Sequence, residues 1–352
     1  MIRYFLGANT AQGFVSAYED LADPEGGDFI WYIKGGPGNG KSTFMKTIAD
    51  AAEAAGRTVE RFPCSGDPDS LDGIYIREDR VAYVDATSPH VQEPPLPGAA
   101  GQYLDLSRFY RPGLSPHREE IGRHFRLYRE QYARCYELLK AAALCAPENT
   151  PGLADGSLRE AAAARARETA GRLLRPGDGA RERRRFLSAL TCQGPVTFWE
   201  TARACGRLCT LDNALGLADP FLQAIREECR AKGVPAILCP DPLQPDRLEA
   251  VLLPGQELSF AAVKKDRPCA GAVWRHLRLD AMTDAGRLRA HRTESRSCSM
   301  LQAGLLRQAG EALANAKRFH DALEEIYRPY VDFSGVSALC REHREALGYP
   351  LP

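Results

Sequence analysis

One run in the chain has the residue types and spacing to bind phosphate: Gly35-Gly36-Pro37-Gly38-Asn39-Gly40-Lys41-Ser42-Thr43. Its glycines let the backbone turn so that successive amides converge on phosphate oxygens, and a helix opening behind them adds its positive end. Lys41 can reach β- and γ-phosphates, and Ser42 can ligate Mg2+. Downstream, Val81-Ala82-Tyr83-Val84 is an apolar run ending in Asp85, a carboxylate able to hold that ion directly or through water. The expected nucleotide contacts are Gly35, Gly36, Gly38, Asn39, Gly40, Lys41, Ser42 and Thr43, with Lys41 and Asp85 as the catalytic pair. Ser42 and Asp85 are the expected metal ligands. ATP with Mg2+ is the expected cofactor pair, because the chain has no Asn/Thr-Lys-x-Asp segment of the common guanine-reading type.

Further acids lie in Cys64–Gly73, where Asp67 and Asp72 can place carboxylates near the cation or activate a nucleophile. They can equally cap a surface turn, since Asp-Pro and Asp-Gly are ordinary turn chemistry. His90, shortly after Asp85, can sense a γ-phosphate or orient water, or be structural.

These groups need elements to hold them. Phe29–Ile33 reads as a buried strand, residues 41–55 as a helix closed by Gly56, and Val59–Phe62 as a second strand. This is the strand–loop–helix context that a G-x-x-x-x-G-K-S pattern requires. The chain also repeats itself. Phe5, Leu6, Ala8, Thr10, Gln12 and Gly13 match Phe186, Leu187, Ala189, Thr191, Gln193 and Gly194 at one constant offset. At a second offset Phe44, Ile48, Gly56, Leu71 and Asp72 fall on Phe221, Ile225, Gly233, Leu248 and Glu249. The expected fold is α/β: duplicated P-loop NTPase-like three-layer sandwich domains, each followed by helices, at residues 1–180 and 181–352.

Two long amphipathic stripes support those trailing helices. Ile121, Phe125, Tyr128, Tyr132, Cys135 and Leu139 form one; Leu305, Ala309, Ala312, Ala316, Phe319, Leu323 and Ile326 form the other. Residues 156–175 read as a further helix, assigned to the first copy. The second copy lacks the phosphate chemistry: Lys41 becomes Ala218, Ser42 becomes Asp219, Thr43 becomes Pro220, and Asp85 falls opposite Ala262. An aspartate at that point repels phosphate.

Composition narrows the function classes. The 352 residues carry 46 basic and 46 acidic side chains, a net charge of zero that argues against a general nucleic-acid surface and leaves only a local basic patch open. Arg181–Arg185 reads as solvated linker. No run is long and apolar enough for a membrane span and no signal peptide is read, so a cytoplasmic location is expected. The 11 cysteines include no Cys-x-x-Cys pair and read as reduced, packed thiols.

Four segments carry a family resemblance: Arg3–Gly13, Ile33–Met45, Cys64–Gly73 and Asp85–His90. With Ala316–Glu324, they make the chain similar to a family of tandem P-loop ATPase-like proteins found mostly in Firmicutes. The resemblance implies nucleotide binding and a duplicated fold, and it implies no particular substrate. Here the second phosphate loop is erased, and Pro63 precedes Cys64 where relatives tend to have histidine. The expected activity is Mg-dependent ATP hydrolysis at one site in the first copy. Alternatives are a small-molecule or nucleotide kinase, and a nucleotide-gated switch or scaffold with a protein partner.

Overall fold

The computed structural model describes residues 1–87, 91–264 and 267–349. The first copy supplies strands β1 (Ile2–Arg3), β2 (Gly7–Thr10), β3 (Gly13–Ser16), β4 (Phe29–Lys34), β5 (Val59–Pro63), β6 (Leu71–Ile76), β7 (Val81–Asp85) and β8 (Gly101–Asp105). Helix α1 (Lys41–Ala54) joins β4 to β5, and α2 (Arg118–Leu144) and α3 (Gly156–Leu173) follow the last strand. The second copy repeats the series as β9 (Glu182–Arg184), β10 (Ser188–Thr191), β11 (Gly194–Thr197), β12 (Arg207–Asp212), β13 (Ala236–Pro240), β14 (Leu248–Leu253), β15 (Leu258–Val263) and β16 (Arg275–Leu277). It adds α4 (Trp199–Ala204) before β12 and places α5 (Ala218–Ala231) after it. It closes with α6 (Ala285–Ala290), α7 (Arg292–Tyr327) and α8 (Phe333–Ala346).

Each copy builds a mixed six-stranded sheet, in the order β1-β5-β6-β7-β4-β8 and, strand for strand, β9-β13-β14-β15-β12-β16. β4 runs parallel to β7 and β8 on its two sides, so the carboxyl ends of all three meet at one edge. There Ile33 is level with Asp85, and Lys34 with Asp105.

The copies agree even where the backbone is irregular. The β5–β6 ladder slips at Phe62/Pro63 and the β13–β14 ladder at Cys239/Pro240. Arg80 (φ 56°) and Glu257 (φ 50°) both adopt the left-handed region, and their carbonyls accept from Phe29 and Arg207 amides at 2.9 Å. Thr10 and Thr191 each donate to a glycine carbonyl at 2.8 Å, Gly13 and Gly194 respectively. A non-glycine left-handed residue costs about 1–2 kcal/mol, so its recurrence at matched positions marks a shared ancestral backbone.

The compact units draw on both copies. One comprises Met1–Leu6, Tyr18–Ala133 and Ala312–Pro352; the other comprises Gly7–Ala17 and Arg134–Glu311. In the first, Phe44, Met45 and Ile48 of α1 join Ile74 and Tyr83 of the sheet and Val336, Leu339 and Cys340 of α8 in one core. In the second, Ala162, Ala166 and Ala170 of α3 share a core with Phe221, Leu222 and Ile225 of α5. The sequence reading leaves residues 156–175 with the first copy, yet α3 packs on the second copy's helix. Its buried face is an alanine stripe with Leu158, and alanines every fourth residue let two helix backbones approach closely.

Local readings shift as well. Asp72-Gly73, read as turn chemistry, lies inside β6, where Gly73 pairs with Val84. A Cβ on Gly73 would meet Leu6 and the Tyr83 carbonyl at 3.2 Å, so glycine is there for packing. Arg181–Arg185, read as solvated linker, contains the edge strand β9, and Arg185 is 1% exposed. None of the 11 cysteines forms a disulfide. Among the described residues no helix is long and apolar enough to cross a membrane.

Two predictions follow from this packing. Ala166 is fully buried, so Ala166→Leu should cost about 1–3 kcal/mol by overpacking, read as a lower urea midpoint. His343 of α8 sits among Trp31, Phe44 and Tyr83, with ring centroids 4.6, 5.6 and 5.7 Å away, and shares a 3.1 Å hydrogen bond with the Tyr83 hydroxyl. Burial holds its pKa below the usual 6.5. The unfolded imidazole therefore protonates first on acidification; the stability contribution is full above pH 6.5 and falls as pH drops through that value. Thermal melts should show Tm falling across this range in the wild type and a flatter profile in His343→Gln.

Candidate functional site

The carboxyl edge of β4 positions the candidate residues. The strand ends at Lys34, α1 begins at Lys41, and the intervening loop turns through Gly38 (φ 67°) and Gly40 (φ 89°). Gly38 is needed twice over, because a Cβ there would also approach the Glu324 backbone of α7 to 3.1 Å. Gly40 is the N-cap of α1 and supplies no side-chain acceptor. Among the described residues no protein acceptor meets the amides of Gly38, Asn39, Gly40, Lys41 or Ser42. Asn39 is 1% exposed, and neither Oδ1 nor Nδ2 of its side chain has a hydrogen-bond partner. Buried polar groups are seldom left in this condition.

Lys41 Nζ donates to the carbonyls of Gly35 and Gly36, each at 2.9 Å, and lies 3.7 Å from Asp85 Oδ2. The other Asp85 oxygen accepts from the Thr87 amide at 3.0 Å and from its hydroxyl. Ser42 Oγ accepts from the Leu71 amide at 2.9 Å, which leaves its proton and a second lone pair available. Thr43 is exposed at the first turn of α1. Tyr110, in the segment after β8, donates to the Pro37 carbonyl at 3.2 Å and braces the loop from outside.

The remaining candidates stand differently. Asp67 caps its own turn, accepting from Ser70 Oγ at 3.1 Å and the Asp69 amide at 3.2 Å, and lies 3.5 Å from Lys317 Nζ. Asp72 is buried, and its charge opposes ionisation of both Tyr18 and Cys64. Burial, with the Asp72 charge beside it, pushes the Cys64 thiol well above its usual value, so it stays protonated and is a poor nucleophile. Tyr18 also feels the charge of Asp85. His90 lies outside the described residues.

Residues on α7 join this edge. His320, Asp321 and Glu324 bring one ligand atom each within 4.8 Å of one another, an arrangement able to hold a cation. Lys317 already pairs with Asp321. Burial holds His320 below its usual pKa; Glu324 opposes that shift and the Lys41 charge adds to it. The sequence reading took this segment only as a helix stripe and a family likeness. The signal for more was the i,i+4 spacing of His320 and Glu324.

The same corner of the second copy resolves its backbone differently. There Leu211 is level with Ala262, and the turn from β12 to α5 is one residue shorter than its counterpart. The carboxylate of Asp280 accepts from the Ala214 amide at 2.9 Å and the Leu215 amide at 3.1 Å. Asn213 Oδ1 accepts from the Ala218 amide at 3.0 Å at the start of α5. Asp219, expected to repel phosphate, instead accepts from the Leu248 amide at 2.9 Å, the same latch Ser42 makes to Leu71. Asp280 opens the helical turn after β16; the matching residue after β8 is Ser107. The sequence reading missed Asp280, although Leu104-Asp-Leu-Ser107 and Leu277-Arg-Leu-Asp280 align.

The chain has no match among protein-family models, curated proteins or solved structures.

Removing the Asp280 carboxylate should leave two amides without their acceptor. Asp280→Ala is expected to lose about 1–3 kcal/mol in urea unfolding. A variant as stable as the wild type would refute the capping role.

Proposed function

We propose that the protein is a Mg-dependent, ATP-binding NTPase with one site, in the first copy. The observation that supports this most is the contrast between the two corners. Where Lys41 and Asp85 are present, the loop amides and Asn39 lack protein acceptors; where both are missing, the side chains of Asp280 and Asn213 accept amides of the corresponding turn. Amides that converge without an acceptor, beside a lysine, suit an anion of several oxygens.

In this reading the amides of residues 36–41 and the Asn39 side chain hold the phosphates. Lys41 exchanges the Gly35 and Gly36 carbonyls for the β- and γ-phosphate oxygens. Ser42 Oγ and the Oδ2 of Asp85 hold Mg2+, which supplies charge neutralisation for the β- and γ-phosphates. The donor set, one hydroxyl and one carboxylate beside phosphate oxygens, suits that hard cation. Water is the acceptor of the γ-phosphoryl group in the hydrolytic reading. A kinase reading draws support from His320 and Glu324, since a neutral imidazole near Lys41 can take the proton of an acceptor hydroxyl.

Lys41→Ala should weaken ATP binding and lower turnover by about 100-fold or more. Ser42→Ala and Asp85→Asn should raise the Mg2+ concentration needed for half-maximal turnover. Phosphate release and consumed nucleotide, counted separately, distinguish hydrolysis from transfer. Nucleotide affinity and turnover unchanged in Lys41→Ala would remove the basis of the assignment.

A further inference from the structure

A cavity of about 290 Å3 opens directly off the end of the glycine-rich loop, between α1 and α8. Gly40 and Thr43 line it on one side; Phe333, Val336, Ser337 and Arg341 line it on the other. The two walls meet closely: a Cβ on Gly40 would sit 3.6 Å from Val336 and 3.8 Å from Phe333. The α8 wall is fixed in place by main-chain bonds to the segment after β8. Asp332 donates to the Phe109 carbonyl at 2.8 Å, Arg111 donates to the Tyr330 carbonyl at 2.6 Å, and Tyr110 bridges Val331. α8 thus stays beside the loop.

We infer that this cavity is the purine pocket of the nucleotide site. The inference rests on the phosphate-site reading above and names what lies beyond the phosphates. The free amides run through Gly40 to Ser42, so a phosphate chain bound there ends at the mouth of the cavity. Phe333 is 41% exposed, an unusual state for phenylalanine, and offers a ring on which a base can stack. Arg341 and Ser337 are also exposed on α8. A guanidinium donates to N7, an acceptor that both purines carry, and a hydroxyl can donate or accept at the base edge. Among the described residues no acidic side chain lines the cavity, which suits a ligand carrying phosphates. A size of about 300 Å3 marks the small end of ligand pockets, fitting one base with part of its ribose.

The α8 wall belongs by sequence to the second copy. The copy whose own loop is capped by Asp280 therefore builds part of the first copy's site.

Titration calorimetry with Mg2+ and three ligands separates the two readings: ATP, GTP and inorganic tripolyphosphate. Ser337 is exposed, so Ser337→Trp fills the cavity without removing core; Phe333→Ala removes the stacking ring. The wild type should bind one purine nucleotide about tenfold or more tighter than tripolyphosphate, the size of a stacked base. That advantage should vanish in Ser337→Trp and shrink in Phe333→Ala, with tripolyphosphate affinity unchanged in both. A full nucleotide advantage in both variants, or none in the wild type, overturns the purine pocket and leaves the phosphate site standing. Loss of tripolyphosphate in both variants would make α8 a support of the loop rather than a base pocket. Binding of no ligand by the wild type overturns the phosphate site, and this inference with it.

Discussion

A strand that ends inside a sheet and turns at once into a helix leaves backbone N–H groups with no carbonyl in reach. That deficit at the β4–α1 corner and at the β12–α5 corner is the constraint around which both copies are arranged. The second copy meets it internally, with Asp280 and Asn213 accepting from loop and helix-start amides. The first copy leaves it open and surrounds the opening with Lys41, Asp85 and Asn39. Two answers to one backbone problem, in a shared fold, separate a corner capped by its own side chains from one left open. The exchange of Ser42 for Asp219 did not disturb this frame, because either side chain can accept from the leucine amide of the adjacent strand.

The helices that follow each copy are exchanged. α3 follows the first copy and packs on α5; α8 follows the second and packs on α1. Each loop-bearing helix is therefore covered by an element encoded in the other half. The second copy keeps the sheet of the first while carrying Ala218 and Asp219 in place of Lys41 and Ser42, and its trailing helix α8 completes the core around α1.

Much of this was legible in the sequence. The glycine run, the strand before it, the helix after it and the strand ending at Asp85 all follow from local pattern, and they form as read. The duplication was legible from weak matches in constant order, and the two sheets repeat the same strand order. What local pattern could not supply was partner choice. The alanine stripe of α3 announces a close helix neighbour without naming it. The Asp72-Gly73 pair carries turn chemistry, yet tertiary packing against Leu6 and Tyr83 draws it into a strand. Asp280 was invisible because its meaning depends on two amides more than sixty positions away. His320 and Glu324 join the loop only through the path of a long helix.

The exchanged helices also set an order of events during synthesis. α1 emerges from the ribosome well before α8, with Phe44, Met45 and Ile48 on its apolar side. Until it arrives, the nascent first half exposes part of its apolar surface and has only one wall of the cavity beside Gly40. Domains usually fold as units during translation, the N-terminal one first. Here the first unit must wait for α8, so chains that lack it leave part of the α1 core uncovered.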